Sequence, residues 1–287
     1  MSEPAPGGAG SEGRAQDLAQ DLSLALALAD EADAITTAAF RRDDLVVESK
    51  PDLTPVTDAD RQVENAMRDT LADRRPGDAV VGEEHGSRGE GRRRWIVDPI
   101  DGTKNFVRGI PVWATLLALE VGGDLVVGVA SAPALGRRWW AGRGLGAWAG
   151  TPGAPASEGS AIRVSAVDDL FDAQVSYAGI SGWKAIGALD GLVELSQRCW
   201  RTRGFGDFWS HVLVAEGACE VGLDPEVSLW DLAALAVIVE EAGGRFTDLG
   251  GRRRADGGHA ISSNGLLHDP ALAVLGVGEA ESESSYR

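Results

Sequence analysis

Apolar residues recur at helical spacing early in the chain. Leu18, Leu22, Ala25, Ala29 and Ala32 fall on one face, which predicts an amphipathic helix from about Ala15 to Phe40. A second stripe, Val63, Met67 and Leu71, predicts a helix that starts at Thr57 and stops near Arg75-Pro76-Gly77. The pattern then shortens. Apolar runs predict strands over Ala79–Val81, Arg94–Val97, Ala114–Val121 and Leu125–Ser131, the last two joined by the hairpin signal Gly122-Gly123-Asp124. Thr151–Ala161 carries Pro, Gly, Ala and Ser without periodicity. After it come a strand-like Gln174–Tyr177 and helical patterns over Ile186–Arg198, Asp207–Glu216 and Trp230–Ala242, the last closed by Gly243-Gly244.

These elements predict an α+β protein, antiparallel in its first half and alternating strand with helix in its second. The expected organisation is a disordered extension over 1–14, an α+β lobe carrying the candidate metal site over 15–150, an α/β lobe over 151–277 and a disordered tail over 278–287.

Charge narrows the partners. With 27 Lys and Arg against 44 Asp and Glu, the formal net charge of −17 disfavours nucleic acid and anionic lipid. It would also repel a small anionic substrate unless cations invert the field inside the site. The longest apolar runs, such as Leu232–Val239, are far too short for a membrane span. Cys199 and Cys219 follow no secretory signal, so a reducing cytoplasmic setting is expected.

The richest chemistry lies in Trp95–Thr103. A hydrophobic strand ends at Asp98, Pro99 blocks a helix, Asp101 follows within three residues, and Gly102-Thr103 supplies backbone N–H groups and a hydroxyl. Gly82-Glu83-Glu84 ends a neighbouring strand with more carboxylate, of which one, Glu83, should face the site because strand neighbours point opposite ways. Asp231 opens the last long helix. Each has a plainer reading: Asp-Pro and Asp-Gly are turn dipeptides, Asp231 suits a helix macrodipole, and Thr57 with Asp60 forms a capping box. Taken together, Glu83, Asp98, Asp101 and Asp231 make a hard-oxygen set suited to magnesium, poised against a phosphate. Other phosphatase chemistries find no support. A cysteine nucleophile would need arginine where Phe205 and Pro225 stand, the two acids at 98 and 101 are spaced too far for an aspartyl-phosphate motif, and no glycine-rich nucleotide loop occurs. Water is left as the nucleophile.

These motifs resemble the inositol monophosphatase-like superfamily. The matching pieces are Val56-Thr57 to Asp60, Gly82-Glu83-Glu84, Asp98 to Thr103, and Trp230-Asp231 running into Glu241-Ala242-Gly243-Gly244. Within it the chain is most similar to the actinobacterial histidinol-phosphate phosphatases, through Lys50–Asp60, Asn105–Trp113, Ser131–Ala134, Arg138-Trp139-Trp140 and Arg203–Phe208. The resemblance implies a layered αβαβα sandwich, often a homodimer, that hydrolyses a small phosphorylated substrate with two or three Mg2+ ions. It further implies metal ligation by Glu83, Asp98, Asp101, Asp231 and the Ile100 carbonyl, with Asp98 shared between two ions about 4 Å apart. Thr103, near Glu83 and Asp60, would polarise the attacking water; the amides of Gly102 and Thr103 would hold phosphate. Arg203, Asp207 and Asp224 would touch the alcohol moiety. Inositol 1-phosphate and fructose bisphosphate are the alternative substrates, and a non-catalytic scaffold is the alternative to an enzyme.

Overall fold

The computed structural model describes residues 9–50 and 54–277. The expected tail, the first eight residues and the loop residues Pro51-Asp52-Leu53 lie outside that range. The first helix, α1, spans Ala9–Ala39 and so starts ahead of the expected Ala15. The hairpin β1 (Val47–Ser49) and β2 (Pro55–Thr57) leads into α2 (Asp58–Arg74), which opens on the Thr57–Asp60 capping box.

An eight-stranded sheet follows: β3 (Ala79–Gly82), β4 (Gly86–Arg88), β5 (Arg93–Asp101), β6 (Ala114–Val121), β7 (Asp124–Ala132), β8 (Arg137–Gly142), β9 (Gly146–Gly150) and β10 (Ser160–Ala161). Its order is β10-β9-β8-β7-β6-β5-β3-β4, antiparallel except where β3 runs parallel to β5. The short helix α3 (Thr103–Val107) caps the end of β5. A smaller sheet in the order β12-β11-β13-β15-β14 comprises β11 (Gln174–Tyr177), β12 (Arg201–Arg203), β13 (Val221–Asp224), β14 (Arg245–Thr247) and β15 (Ala260–Ser263). Parallel pairing joins β12, β11 and β13, and antiparallel pairing joins the rest. The remaining helices are α4 (Ile180–Ala185), α5 (Leu189–Arg198), α6 (Asp207–Ala215), α7 (Leu229–Glu241) and α8 (His268–Leu275).

Period-two alternation sets the layers. Trp95 and Val97 of β5 join Leu28, Val63 and Met67 beneath α1 and α2, while Ile96 faces Leu232, Leu235 and Phe208 of α7 and α6. On the far side of the smaller sheet, Val175, Leu223 and Ile261 pack on Trp183, Leu195 and Leu275 of α4, α5 and α8. The result is the expected five-layer αβαβα sandwich. Gly128 lets α7 approach the large sheet: a Cβ there would stand 2.3 Å from the Ala234 carbonyl oxygen. A buried network of Asp33, Ser131 and Arg138 ties α1 to β7 and β8.

Two expectations need correction. The helix expected over Ile186–Arg198 starts only at Leu189, as α5, because Gly187 takes φ 73°, and a separate short helix, α4, precedes that glycine. The strand expected to end at Val97 or Asp98 continues through Pro99 to Asp101. The edge strand β10 lies beyond Thr151, and one apolar cluster joins Leu116 and Trp139 to Phe208 and Leu235. No helix among the described residues is long and apolar enough to cross a membrane.

Candidate active site

The carboxyl end of β5 owes its geometry to an irregularity. Asp98 and Asp101 are three positions apart and would point to opposite faces of a regular strand. Asp98 pairs with Leu116 and Asp101 with Ala114, so β5 holds one extra residue there, and this bulge turns both acids to one side. Pro99 brings no N–H to satisfy, its carbonyl accepts the Thr115 hydroxyl at 2.8 Å, and Ile100 N–H donates to Asp98 Oδ1 at 3.0 Å. Asp98 lies on the same face as Ile96, toward the middle helical layer.

Two helices then bring the second half of the chain to these acids. Phe208 N–H, in the first turn of α6, donates to Asp101 Oδ2 at 2.7 Å. Asp231, in the first turn of α7, accepts Ser228 N–H at 2.6 Å through Oδ2. One carboxylate oxygen from each of Asp98, Asp101 and Asp231 lies within 4.8 Å of the others. The cluster opens on a cavity of about 650 Å³ lined also by Lys50, Glu83, Gly102, Thr103, Asp207 and Asp224.

Burial makes this cluster electrostatically unfavourable without a cation. It pushes Asp98 and Asp101 well above the usual carboxylate range, helped by Glu83 at Asp98 and by Asp207 and Asp231 at Asp101. Asp231 is raised to about 7, again by burial first. Several hard oxygens, buried and mutually repelling, fit a divalent cation that would release the repulsion.

Glu83 stands at the rim. Its N–H extends the pairing of β3 with β5 by donating to Val97 O at 3.2 Å, and its carboxylate meets Lys50 Nζ at 2.7 Å. Glu84 reaches the same ammonium at 2.6 Å. The expectation that the two glutamates point opposite ways fails because both lie beyond Gly82, where β3 has ended. Burial opposes the charge on Lys50, yet the bonds to both glutamates outweigh it and raise its pKa.

Other expected residues divide. Asp60 is fully buried behind the cavity: its Oδ2 accepts Thr57 N–H at 2.7 Å and the Thr57 hydroxyl at 2.6 Å, and burial raises it to about 7. Its Oδ1 is buried with no hydrogen-bond partner among the described residues. The Thr103 hydroxyl donates to Ile100 O at 2.9 Å rather than to either acid. Gly102 takes φ 80°, and a Cβ there would come within 3.0 Å of Val112 O, so glycine suits the turn into α3. Asp207 accepts Asn105 Nδ2 at 3.2 Å and is raised to about 6 by burial and then by Asp224. Arg203 is not brought in. It is exposed on β12, bonded to the Thr202 carbonyl, and does not line the cavity.

Sequence reasoning missed Glu64. It is fully buried on α2, and its carboxylate accepts the N–H groups of Glu84 at 2.7 Å and His85 at 3.1 Å. Arg68 Nε clamps it at 2.8 Å. Gly82 makes the space, since a Cβ there would lie 2.1 Å from Glu64 Oε1. Glu64 therefore holds the turn that presents Glu83. The available signal was an acid and a base four residues apart, Glu64 and Arg68, beside the buried stripe of α2.

The likenesses to known proteins agree with this geometry. The chain is 54% identical over 259 residues to a histidinol-phosphatase of Mycobacterium tuberculosis, covering 90% of this chain and 98% of that one. It is 52% identical over 263 residues to a histidinol-phosphatase of Streptomyces coelicolor, covering 90% and 98%. The solved structure of an IMPase from Thermotoga maritima matches with a TM-score of 0.80 at 30% identity, over 91% of this chain and 99% of that one. Fold, cluster and likenesses together define a phosphoric monoester hydrolase. A sequence profile described as the inositol monophosphatase family matches residues 17–275, and the chain belongs to that family.

Proposed function

We propose that this hydrolase acts on L-histidinol phosphate with Mg2+, releasing L-histidinol and phosphate as a step of histidine biosynthesis. The observation that carries the chemistry is the convergence of Asp98, Asp101 and Asp231. The substrate reading is supported by two histidinol-phosphatases more than half identical over nine-tenths of the chain.

Glu83, Asp98, Asp101, Asp231 and the Ile100 carbonyl would hold two or three magnesium ions. When bound, these supply the positive charge that acidifies water and stabilises a leaving alkoxide. The chain's own groups do the rest. The N–H groups of Gly102 and Thr103 hold phosphate oxygens at the start of α3. Thr103 Oγ1 orients the attacking water, and Asp60 Oδ1, an acceptor with a pKa near neutrality, takes its proton. Lys50 and Lys104, both lining the cavity, offset the protein's acidic field at the substrate. Asp207 and Asp224 face the ammonium and imidazole of the substrate, a demand that a neutral polyol would not make. Assembly is as a homodimer in the cytoplasm, in keeping with the free thiols Cys199 and Cys219.

The test is a phosphate-release screen with Mg2+ over histidinol phosphate, inositol 1-phosphate and fructose 1,6-bisphosphate. Histidinol phosphate should have the highest kcat/KM. A preference for inositol 1-phosphate would overturn the substrate and leave the chemistry standing.

A further inference from the structure

His211 lies fully buried in the middle helical layer, on α6 one turn after Asp207, so both side chains share a helix face. It lines the cavity together with Asp207 and Asp224. Its Nε2 meets Asp224 Oδ2 at 2.7 Å, and its Nδ1 meets the Ser262 hydroxyl at 2.8 Å. These partners come from separate strands: Asp224 ends β13, and Ser262 sits on β15 opposite Gly222. Gly222 clears the way, because a Cβ there would stand 2.8 Å from Ser262 Oγ and 3.1 Å from the Ser210 carbonyl oxygen.

The direction of the bonds follows from chemistry. An ionised Asp224 can only accept, so Nε2 carries the proton it receives. A neutral ring then accepts at Nδ1, where the Ser262 hydroxyl donates. This chain, Ser262 to His211 to Asp224, occupies one oxygen of Asp224 and fixes the plane of its carboxylate. Asp224 also lines the cavity, which leaves its other oxygen, Oδ1, to meet a ligand there.

We infer that His211 is a positioning residue for substrate choice: it holds Asp224 so that its second oxygen meets the cationic end of the substrate alcohol. The inference rests on histidinol phosphate, an ammonium-bearing ester, being the substrate. His211 acts through Asp224 and touches no reacting atom. Its loss should therefore weaken discrimination between a cationic and an uncharged alcohol more than turnover itself.

The experiment uses the full chain with Mg2+ and compares kcat/KM for L-histidinol phosphate with that for glycerol 2-phosphate, whose alcohol is uncharged. In His211→Leu the ratio of the two should fall about tenfold or more, through KM for histidinol phosphate, as expected for losing the orientation of one charged hydrogen bond. His211→Gln can still place a donor near the Nε2 position and should restore most of the ratio. Adding Asp224→Asn to His211→Leu should lower the ratio no further than Asp224→Asn alone. A folded His211→Leu with a ratio within about twofold of wild type overturns the inference and spares the substrate. If His211→Leu does not fold, Ser262→Ala carries the test, and an unchanged ratio there overturns the inference equally. A wild-type enzyme with no preference for histidinol phosphate overturns the substrate reading, and this inference falls with it.

Discussion

Replacing Gly82 with alanine should damage the site without touching any proposed ligand. Gly82 has no positive φ, so an alanine backbone is not itself strained there. The effect comes from contact alone. The added Cβ would lie 2.1 Å from Glu64 Oε1, 2.3 Å from its Cδ and 2.6 Å from Oε2, so the whole carboxylate must leave. Leaving breaks its bonds with Glu84 N–H, His85 N–H and Arg68, in a place where Glu64 is fully buried. Three charge-assisted bonds would sum to roughly 4–9 kcal/mol if independent, but they share one carboxylate. Breaking a buried ion pair costs about 3–5 kcal/mol, and that is the expected loss. It is a large part of a total stability of roughly 5–15 kcal/mol, and should lower Tm by roughly 5–8 °C. Urea unfolding without metal, followed by tryptophan fluorescence, reads the stability, and a Mg2+ titration reads the site. The titration should weaken as well, because the displaced turn carries Glu83. The double variant Gly82→Ala/Glu64→Ala should be no less stable than Glu64→Ala, since the colliding group is gone. A loss under about 1 kcal/mol for Gly82→Ala, or additive losses in the double variant, would refute the reasoning.

Other outcomes follow from the same geometry. Asp101→Asn should abolish phosphate release while thermal unfolding without metal is unchanged or shifts upward, because the amide keeps an acceptor for Phe208 N–H and removes a buried charge; near-normal turnover would contradict its placement at the metal. Stabilisation by Mg2+ should grow as pH rises from about 4 to about 7. Asp231 and Asp60 have folded pKa values raised to about 7, so between their unfolded values and pH 7 the metal-free protein binds extra protons, loses stability as they leave, and competes less with the cation. A Mg2+-induced Tm shift that is flat across that range would count against a carboxylate site. Gly128→Ala should cost at least about 1–3 kcal/mol in urea unfolding by forcing α7 off the sheet at Ala234; wild-type stability would show that the helix can shift freely.

The sequence disclosed the site better than the fold that builds it. Asp98, Asp101 and Asp231 were legible because acids ending apolar strands or opening helices are conspicuous, and their motifs are specific. The bulge that turns Asp98 and Asp101 to one side was not, since an extra residue in β5 exists only relative to its partner β6. Strands β8 and β9 were hidden in Arg137–Gly150, where glycine and tryptophan mask alternation. Gly187, with φ 73°, separates α4 from α5 and delays the start of a helix whose apolar pattern gave no sign of it. Lys50 stands in the motif by sequence, yet its grip on two glutamates depends on the residue after β1 meeting the turn that follows β3, a contact between distant positions. Arg203 shows the converse: a motif position can match while its side chain lies outside the cavity.

The bond from Phe208 N–H to Asp101 spans more than a hundred positions of chain and has a consequence for synthesis. During translation, a polypeptide that has emerged only as far as the edge strand β10 carries Glu83, Asp98 and Asp101 but lacks Asp231. On the proposed ligand set, a ribosome-bound half-product should be silent toward phosphate esters, and competence should arrive only once α7 has been made. Two separately expressed pieces, cut between Gly150 and Ser160, should each be inert and should regain hydrolysis on mixing.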